Sequence, residues 1–274
     1  MSNNPLKQYF RRPAVYLTLP SKARYYDDSV IDVTESGELP VYPMTAIDEI
    51  TSKTPDALFN GEAMVSLIKS CVPNIKDPWQ INSIDFDAVL IAIRAASIGP
   101  QMDIESKCPK CEQQSLYSLE LIRILASLSS PDYETPLYVG ELQIIFKPLT
   151  YSQMNVASLT QFDMQRTLNQ IESIQNIEER LKSTKQALME ITKTSMALIA
   201  DTIDYIDTPN TRVDNIDHII EFLNNCDKSV YDAIREHHTK IKTQSDIKPL
   251  DVTCVNCSHE YQQPITLNTS NFFE

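Results

Sequence analysis

Two cysteine pairs, Cys108-Pro109-Lys110-Cys111 and Cys254-Val255-Asn256-Cys257, carry the most specific chemistry in the chain, and 142 residues separate them. Thiolates two residues apart on a tight turn can face one ion, and two such turns supply the tetrahedral sulfur shell that Zn²⁺ prefers. Pro109 fixes a backbone angle within the first turn, and Lys110 sets a positive charge beside thiolates that must lose their protons to bind metal. The pattern predicts a structural Zn²⁺ held by Cys108, Cys111, Cys254 and Cys257. Iron, redox dithiols, disulfides and free thiols are the competing readings of the same residues. Closing so long a loop costs about 4 kcal/mol, against roughly 10 to 16 kcal/mol returned by a structural zinc site. His259, two residues past Cys257, either replaces one sulfur or is a solvated histidine on the following turn. Cys71, in the apolar run Val65 to Val72, and Cys226, after Phe222-Leu223, read as small core residues and not as ligands.

Four sulfurs fill a tetrahedral shell, so the site has no open position for a metal-bound nucleophile. Elsewhere there is no glycine-rich phosphate loop, nucleophile elbow or metalloprotease helix, and the neighbours His237 and His238 point to different helix faces. Asp85 and Asp87 flank Phe86 at a helix start, where negative charge favours the helix dipole; capping explains them better than catalysis. The chain is expected not to be an enzyme, with no catalytic residues and no cofactor besides the metal. Its formal net charge of −13 opposes a phosphate backbone, and the basic cluster Lys7 to Arg12 is too small to reverse that. A zinc-ribbon regulator of transcription remains the alternative class, but it should present a basic, aromatic-lined face.

The elements that must position the cysteines follow from length and pattern. A chain of 274 residues, 42 % hydrophobic with 4 glycines, suits an ordered, helix-rich α+β protein of one or two domains. The expected architecture is a small four-cysteine zinc-ribbon β module with a large helical insertion and an extended N-terminal arm. Residues 1–43 form the arm, 44–100 a helical region, 101–120 with 249–274 the ribbon, and 121–248 a hairpin followed by helices. The start Met1 to Lys7 lacks an apolar signal region and no stretch approaches the roughly 20 apolar residues of a membrane span, so synthesis in a reducing cytoplasm is expected.

Within the arm, Ala14 to Leu19 is the best strand and Ser36 to Pro43 an extended run, which either packs on a partner or edges its own domain. Asn60 is the expected cap of a helix carrying Met64, Leu67, Ile68 and Cys71 on one face and ending at Pro73. A second helix over Asp85 to Ile98 turns Phe86, Val89, Leu90 and Ile93 inward and stops at Gly99-Pro100. Trp79 is either an interface anchor or packing between these two helices. Ser115 to Leu119 continues as a strand, and Leu137 to Phe146 reads as a hairpin around Gly140-Glu141 that should join the strands near the zinc. Thr150 and Gln153 fit a capping box that opens a long helical region. Apolar residues from Leu168 to Ile203 and Ile206 recur at three- and four-residue steps, with a break expected between Asn169 and Asn176. Such a stripe is the core of a helix pair or a surface for coiled-coil partners, including a second copy. Two shorter helices, Asp214 to Asn224 and Lys228 to Lys242, lead back to the second knuckle, whose tail Tyr261 to Leu267 is expected to pair with the strands around Cys108. The terminal Phe272-Phe273 should dock on this protein or a neighbour.

Several stretches resemble a known family. Phe10 to Pro20, Gly37 to Ile50, Thr54 to Gly61, Ser70 to Pro73, Asp77 to Trp79 and the Cys108 knuckle are similar to the baseplate hub subunits and hub assembly proteins of contractile-tailed phages of the T-even type. The likeness covers roughly residues 5–125 and returns from Cys254 to Phe273. It implies a part in building the cell-puncturing baseplate, as a permanent subunit or a departing assembly factor. It also implies other baseplate and hub proteins as partners, host cytoplasm during assembly and the virion tail afterwards. It carries no catalytic residues.

Overall fold

The computed structural model describes residues 4–54, 61–172, 174–245, 247–265 and Phe272. The chain divides into two compact units, the first formed by Met1–Ser130 with Ser245–Glu274 and the second by Pro131–Gln244.

The first unit is built round one helix that is apolar on almost every side. Its elements are β1 (Val15–Leu17), β2 (Leu39–Val41), α1 (Ala46–Ser52), α2 (Glu62–Cys71), α3 (Ser83–Ser97), β3 (Gln101–Lys107), β4 (Gln114–Glu120) and α4 (Leu121–Ser127), closed by β9 (Leu250–Thr253) and β10 (Glu260–Gln263). Asn82 caps α3 by accepting from the Asp85 backbone N–H, and eleven of its fifteen residues are buried, including Phe86, Val89, Leu90 and Ile93. Such a helix can only sit at the centre of a unit. The N-terminal segment packs on it: β1 and β2 pair antiparallel, Val15 opposite Val41 and Leu17 opposite Leu39, and both strands contact α3. Of the two readings of the arm, the segment therefore edges its own domain. Arg11 fixes it, donating from Nη1 to the Pro43 carbonyl at 2.7 Å and Asp48 at 3.2 Å, and from Nη2 to the Ser70 carbonyl at 2.8 Å. Part of the basic cluster is thus consumed inside the fold.

Helix α2 ends at Cys71 before Pro73, but Gly61 takes its N-cap, left-handed at φ 82° with no side-chain bond. Asn60, the expected cap, lies outside the described residues, as does Phe273. Trp79 is half-buried in the 3₁₀ turn Pro78–Gln80 that contacts α2, so it packs within the unit. Phe272 is buried, and its carbonyl accepts from Arg94 Nη1, which docks this residue on α3 of this protein. Cys71 is buried with its thiol pushed up to about 11, mainly by burial, as a core thiol should be.

Asp85 stands in the first turn of α3, as expected, but its carboxylate does more than favour the helix dipole. It is fully buried and not a solvated helix-start charge: its carboxylate accepts from the Ser21 backbone N–H at 2.9 Å, the Ser21 hydroxyl, Tyr26 Oη at 2.6 Å and Asn82 Nδ2 at 3.1 Å. No sequence periodicity announces partners 59 and 64 residues away.

The second unit holds β5 (Leu137–Val139), β6 (Leu142–Phe146), α5 (Tyr151–Glu172), α6 (Ile177–Asp201), β7 (Ile203–Asp207), β8 (Arg212–Val213), α7 (Ile216–Asn225) and α8 (Lys228–Ser245). The capping box is present, with Gln153 Oε1 accepting from the Thr150 N–H at 2.9 Å and Thr150 Oγ1 from the Gln153 N–H at 3.3 Å. The long helical region breaks where expected, and Asn176 caps α6. Two expectations fail. Ile203 and Ile206 lie on a strand: Thr202 ends the helix, and the two isoleucines, three residues apart as on a helix, both reach the core because the β6–β7 ladder is irregular between Ile145 and Phe146. The hairpin β5–β6 then joins β7 and β8 in one antiparallel four-stranded sheet, and not the strands near the cysteines. β7 supplies the missing partner, so Ile144, Phe146, Ile203 and Ile206 form one core with Ile219, Leu223 and Ile234.

Burial of Asp85 raises its pKa despite four donors, so the folded state holds that proton more tightly than the unfolded chain. Its carboxylate therefore costs stability once pH rises past the ordinary carboxylate range, about 4, and costs nothing below it. Thermal melts across pH should show the midpoint of Asp85→Asn improving relative to the native chain as pH rises from about 4 towards 7. Asp85→Ala, which orphans the donors, should lose about 3 kcal/mol in urea unfolding.

Candidate metal centre

Each cysteine pair sits on a knuckle of the same construction. In the first, the Glu112 N–H donates to the Cys108 carbonyl at 2.9 Å and the Cys108 N–H to the Gln113 carbonyl at 3.0 Å; in the second, Ser258 and Cys254 donate to Cys254 and His259 carbonyls, both at 2.9 Å. The residue after the second cysteine is left-handed in both, Glu112 at φ 58° and Ser258 at φ 53°. A non-glycine residue held there signals a tight turn imposed by its surroundings. β3 and β4 hold the first knuckle between them, and β9 and β10 the second.

Among the described residues the tail does not pair with the strands around Cys108: β10 pairs with β9, Tyr261 opposite Val252, while Thr266 and Leu267 of the expected strand lie outside the described residues. The two hairpins are instead joined through side chains. Ser106 Oγ lies 2.8 Å from Tyr261 Oη and donates to Gln263 Oε1, and Tyr117 Oη donates to the Thr253 carbonyl at 3.1 Å.

This brings all four predicted ligands together. Cys108 Sγ is 3.7 Å from Cys257 Sγ, Cys111 Sγ is 3.6 Å from Cys254 Sγ, and the four sulfurs lie within 4.8 Å of one another. A tetrahedron with metal–sulfur bonds of about 2.3 Å has sulfur–sulfur edges of roughly 3.8 Å. A disulfide would need about 2.05 Å. Cys108 and Cys254 are buried and Cys111 and Cys257 half-buried, so one side of the cluster meets solvent. His259 is outside the group; its ring stacks on Tyr261 with centroids 6.2 Å apart. Asn256 was not anticipated as a functional residue, and its Nδ2 lies 3.7 Å from Cys111 Sγ, a donor to sulfur contributed by the opposite knuckle. Nothing in the pattern Cys-Val-Asn-Cys signals this contact, because it depends on how the hairpins face each other.

The thiols are unequal. The Gln113 backbone N–H, with hydrogen bonds from Asn256 and the other thiols, brings Cys111 down to about 6. Cys257 also receives a backbone N–H, from His259, but desolvation and its three sulfur neighbours outweigh it and raise the thiol to about 12. One thiol is thus ready to lose its proton near neutral pH, the first step in taking up a soft cation. In the second unit His237 packs on Phe146 with ring centroids 4.8 Å apart, and burial lowers the pKa of both His237 and His238.

A family model described as T4 bacteriophage base plate protein matches residues 35–274. The chain belongs to that family. The match spans all four cysteines and the long helices as well as the N-terminal motifs from Gly37 onward, whereas Phe10 to Pro20 lies before it. No curated protein and no solved structure matches the chain. A baseplate family member of this kind presents a donor set suited to a thiophilic metal and no further cluster of metal-binding side chains among the described residues.

In metal-free protein, Cys111 should be the fastest of the four to alkylate, with its rate rising through a midpoint at about pH 6 while Cys257 stays slow to well beyond pH 9. Peptide-resolved mass spectrometry after timed iodoacetamide pulses reads this directly, and added Zn²⁺ or Cd²⁺ should protect all four.

Proposed function

We propose that this baseplate family member is a non-enzymatic component of the baseplate hub, a hub subunit or hub assembly factor, whose four-cysteine centre holds a structural Zn²⁺. The observation that carries the metal reading is the compact cluster of Cys108, Cys111, Cys254 and Cys257, whose sulfurs all lie within 4.8 Å of one another. Membership of the baseplate family supports the assembly role. In this reading Zn²⁺ supplies charge neutralisation and a rigid tie between hairpins, and Asn256 steadies the Cys111 sulfur from the opposite knuckle. The residues with perturbed protons serve packing: Asp85 and Tyr26 bind each other inside the first unit. Among the described residues no helix is long and apolar enough to cross a membrane. The partners are other baseplate and hub proteins, met in the host cytoplasm during assembly, together with self-association through the long helices; the final location is the virion tail.

Quantitative mass spectrometry of purified virions tests the hub assignment. A fixed stoichiometric copy number supports a subunit, detection in baseplate intermediates but not in virions supports an assembly factor, and absence from both overturns the reading. For the metal, Cys254→Ser should lose about one Zn²⁺ per chain by elemental analysis and disorder the hairpins, with the structural site contributing on the order of 10 kcal/mol to their closure. A Cys254→Ser chain that lacks metal yet assembles normally would refute the structural role.

A further inference from the structure

The first described element is an ordered turn that buries none of its own residues. Pro5–Tyr9 forms a 3₁₀ turn capped by Asn4, whose Oδ1 accepts from the Leu6 N–H at 3.0 Å, and Arg11 clamps the chain just beyond it to Pro43, Asp48 and Ser70. On this fixed turn Leu6, Tyr9 and Phe10 are 61 %, 77 % and 58 % exposed. Lys7, Arg11 and Arg12 lie among them, and no carboxylate precedes Asp27. Arg11 spends its charge on Asp48, whereas Lys7 and Arg12 are exposed and enter no ion pair among the described residues. An apolar knob flanked by free cations is complementary to an acidic surface with an apolar contact of its own.

The same chain carries such a surface. Asp27, Asp28, Asp32, Glu35 and Glu38 fall in residues 27–38, which hold no cation, and Val33 is 41 % exposed among them. Backbone groups fix this segment: Ile31 bridges Ile75, the Asp32 N–H donates to the Asn74 carbonyl at 2.8 Å, and Lys76 Nζ donates to the Asp28 carbonyl at 2.7 Å. Asp27 accepts from the Ser29 N–H of its own turn, and none of the five carboxylates is in an ion pair among the described residues. Lys22 and Arg24, just before the segment, lower its charge without reversing it. The register of β1 on β2 separates the two surfaces. The knob leads into the Val15–Val41 end of the ribbon, and the acidic segment leads into the Leu17–Leu39 end. Opposite charges at opposite ends are what a head-to-tail contact between copies requires.

We propose that the knob at residues 6–12 of one copy docks on the acidic segment at residues 27–38 of a second copy, with Lys7 and Arg12 facing Asp32 and Glu35 and the bare side chains of Leu6 and Phe10 meeting Val33. The contact is heterologous, so it closes into a ring or runs on according to the rotation it imposes. Exposed ion pairs contribute little each, which makes the association weak and dependent on salt. A phosphate backbone fits the knob less well, because only two of its cations are free and the same unit sets five carboxylates at the other end of the ribbon. This surface belongs to the first unit, so the inference goes beyond self-association through the long helices and rests neither on that reading nor on the hub assignment.

Sedimentation velocity of the full chain should show species beyond the monomer that dissociate as salt rises from about 0.02 M to about 0.5 M, a range over which the screening length drops several-fold. A chain with Lys7→Glu and Arg12→Glu, and a second with Asp32→Lys and Glu35→Lys, should each associate at least tenfold more weakly. Their melting midpoints should match the native chain, because all four side chains are exposed. Mixed in equal amounts, the two variants should associate about as well as the native protein, since each knob again meets a segment of opposite charge. One chain carrying all four reversals should do the same. A native chain that stays monomeric at low salt, or reversals that weaken association without recovery on mixing, would overturn the proposal. Association indifferent to both pairs of reversals would also sink it while leaving the long-helix reading intact. Tight binding of a short single-stranded DNA that Lys7→Glu and Arg12→Glu abolish would reassign the knob to phosphate. The hub assignment is decided separately, by virion composition.

Discussion

Four sulfur atoms stand between this fold and the entropy of a 142-residue loop. The hairpins that present them share no strand ladder; β3 pairs with β4 and β9 with β10. Besides sulfur, the described residues join them by side-chain hydrogen bonds from Ser106, Tyr117 and Tyr261. At about 1 kcal/mol each, such bonds fall short of or barely match the roughly 4 kcal/mol that loop closure costs. The docked terminus helps, since Phe272 is buried and bonded to Arg94, yet it too lies beyond the second knuckle and depends on it. A metal worth several times the closure cost would decide the balance, and for this reason the proposed zinc belongs to folding and not to reactivity.

The parts of this arrangement visible in sequence are those whose cause is local. Two cysteines on a four-residue turn announce a knuckle whatever surrounds them. Thr150 with Gln153, Asn176, and Pro73 announce helix ends, because the groups they satisfy or remove are within four residues. The face of α3 bearing Phe86, Val89, Leu90 and Ile93 follows from periodicity. The failures come from long-range pairing. A strand chooses its neighbour by topology, so the hairpin at Leu137 to Phe146 could not reveal that its partner was Ile203 to Asp207, nor could the tail at Tyr261 reveal that it would pair backward with Val252. Ile203 and Ile206, three residues apart, satisfied a helical step, and only the end of α6 at Asp201 and the irregularity of the β6–β7 ladder let both be buried on a strand.

Buried polar groups were the other blind spot. Asp85 had the sequence position of a helix-start charge, and that explanation was sufficient until the fold removed it from water. A carboxylate so placed is costly unless donors surround it, and here they come from Ser21, Tyr26 and Asn82, tying the N-terminal segment to the central helix. Arg11 works in the same way from the opposite charge, reaching Pro43, Asp48 and Ser70. Apolar contacts alone would tolerate a shift of the segment along α3, but the directional hydrogen bonds of a buried carboxylate and a half-buried guanidinium do not. The N-terminal segment is thus positioned by specificity, while Leu17, Leu39 and Val41 supply the burial.

Stability is unevenly distributed between elements, and the unevenness has a direction. α3 is enclosed on nearly every side and would open only with its whole unit; α5 and α6 bury three described residues between them over 47 helical positions. A helix pair with so little tertiary cover sits at the low end of local stability, because isolated helices of this length gain little from propensity alone. Capping by Thr150 and Asn176 and the sheet-side anchor at Ile199 and Ala200 hold the base while leaving the length of the pair uncommitted. Covering the apolar face of α6 would therefore do two things at once, burying Leu188 and Met189 and removing the fraying that their exposure permits.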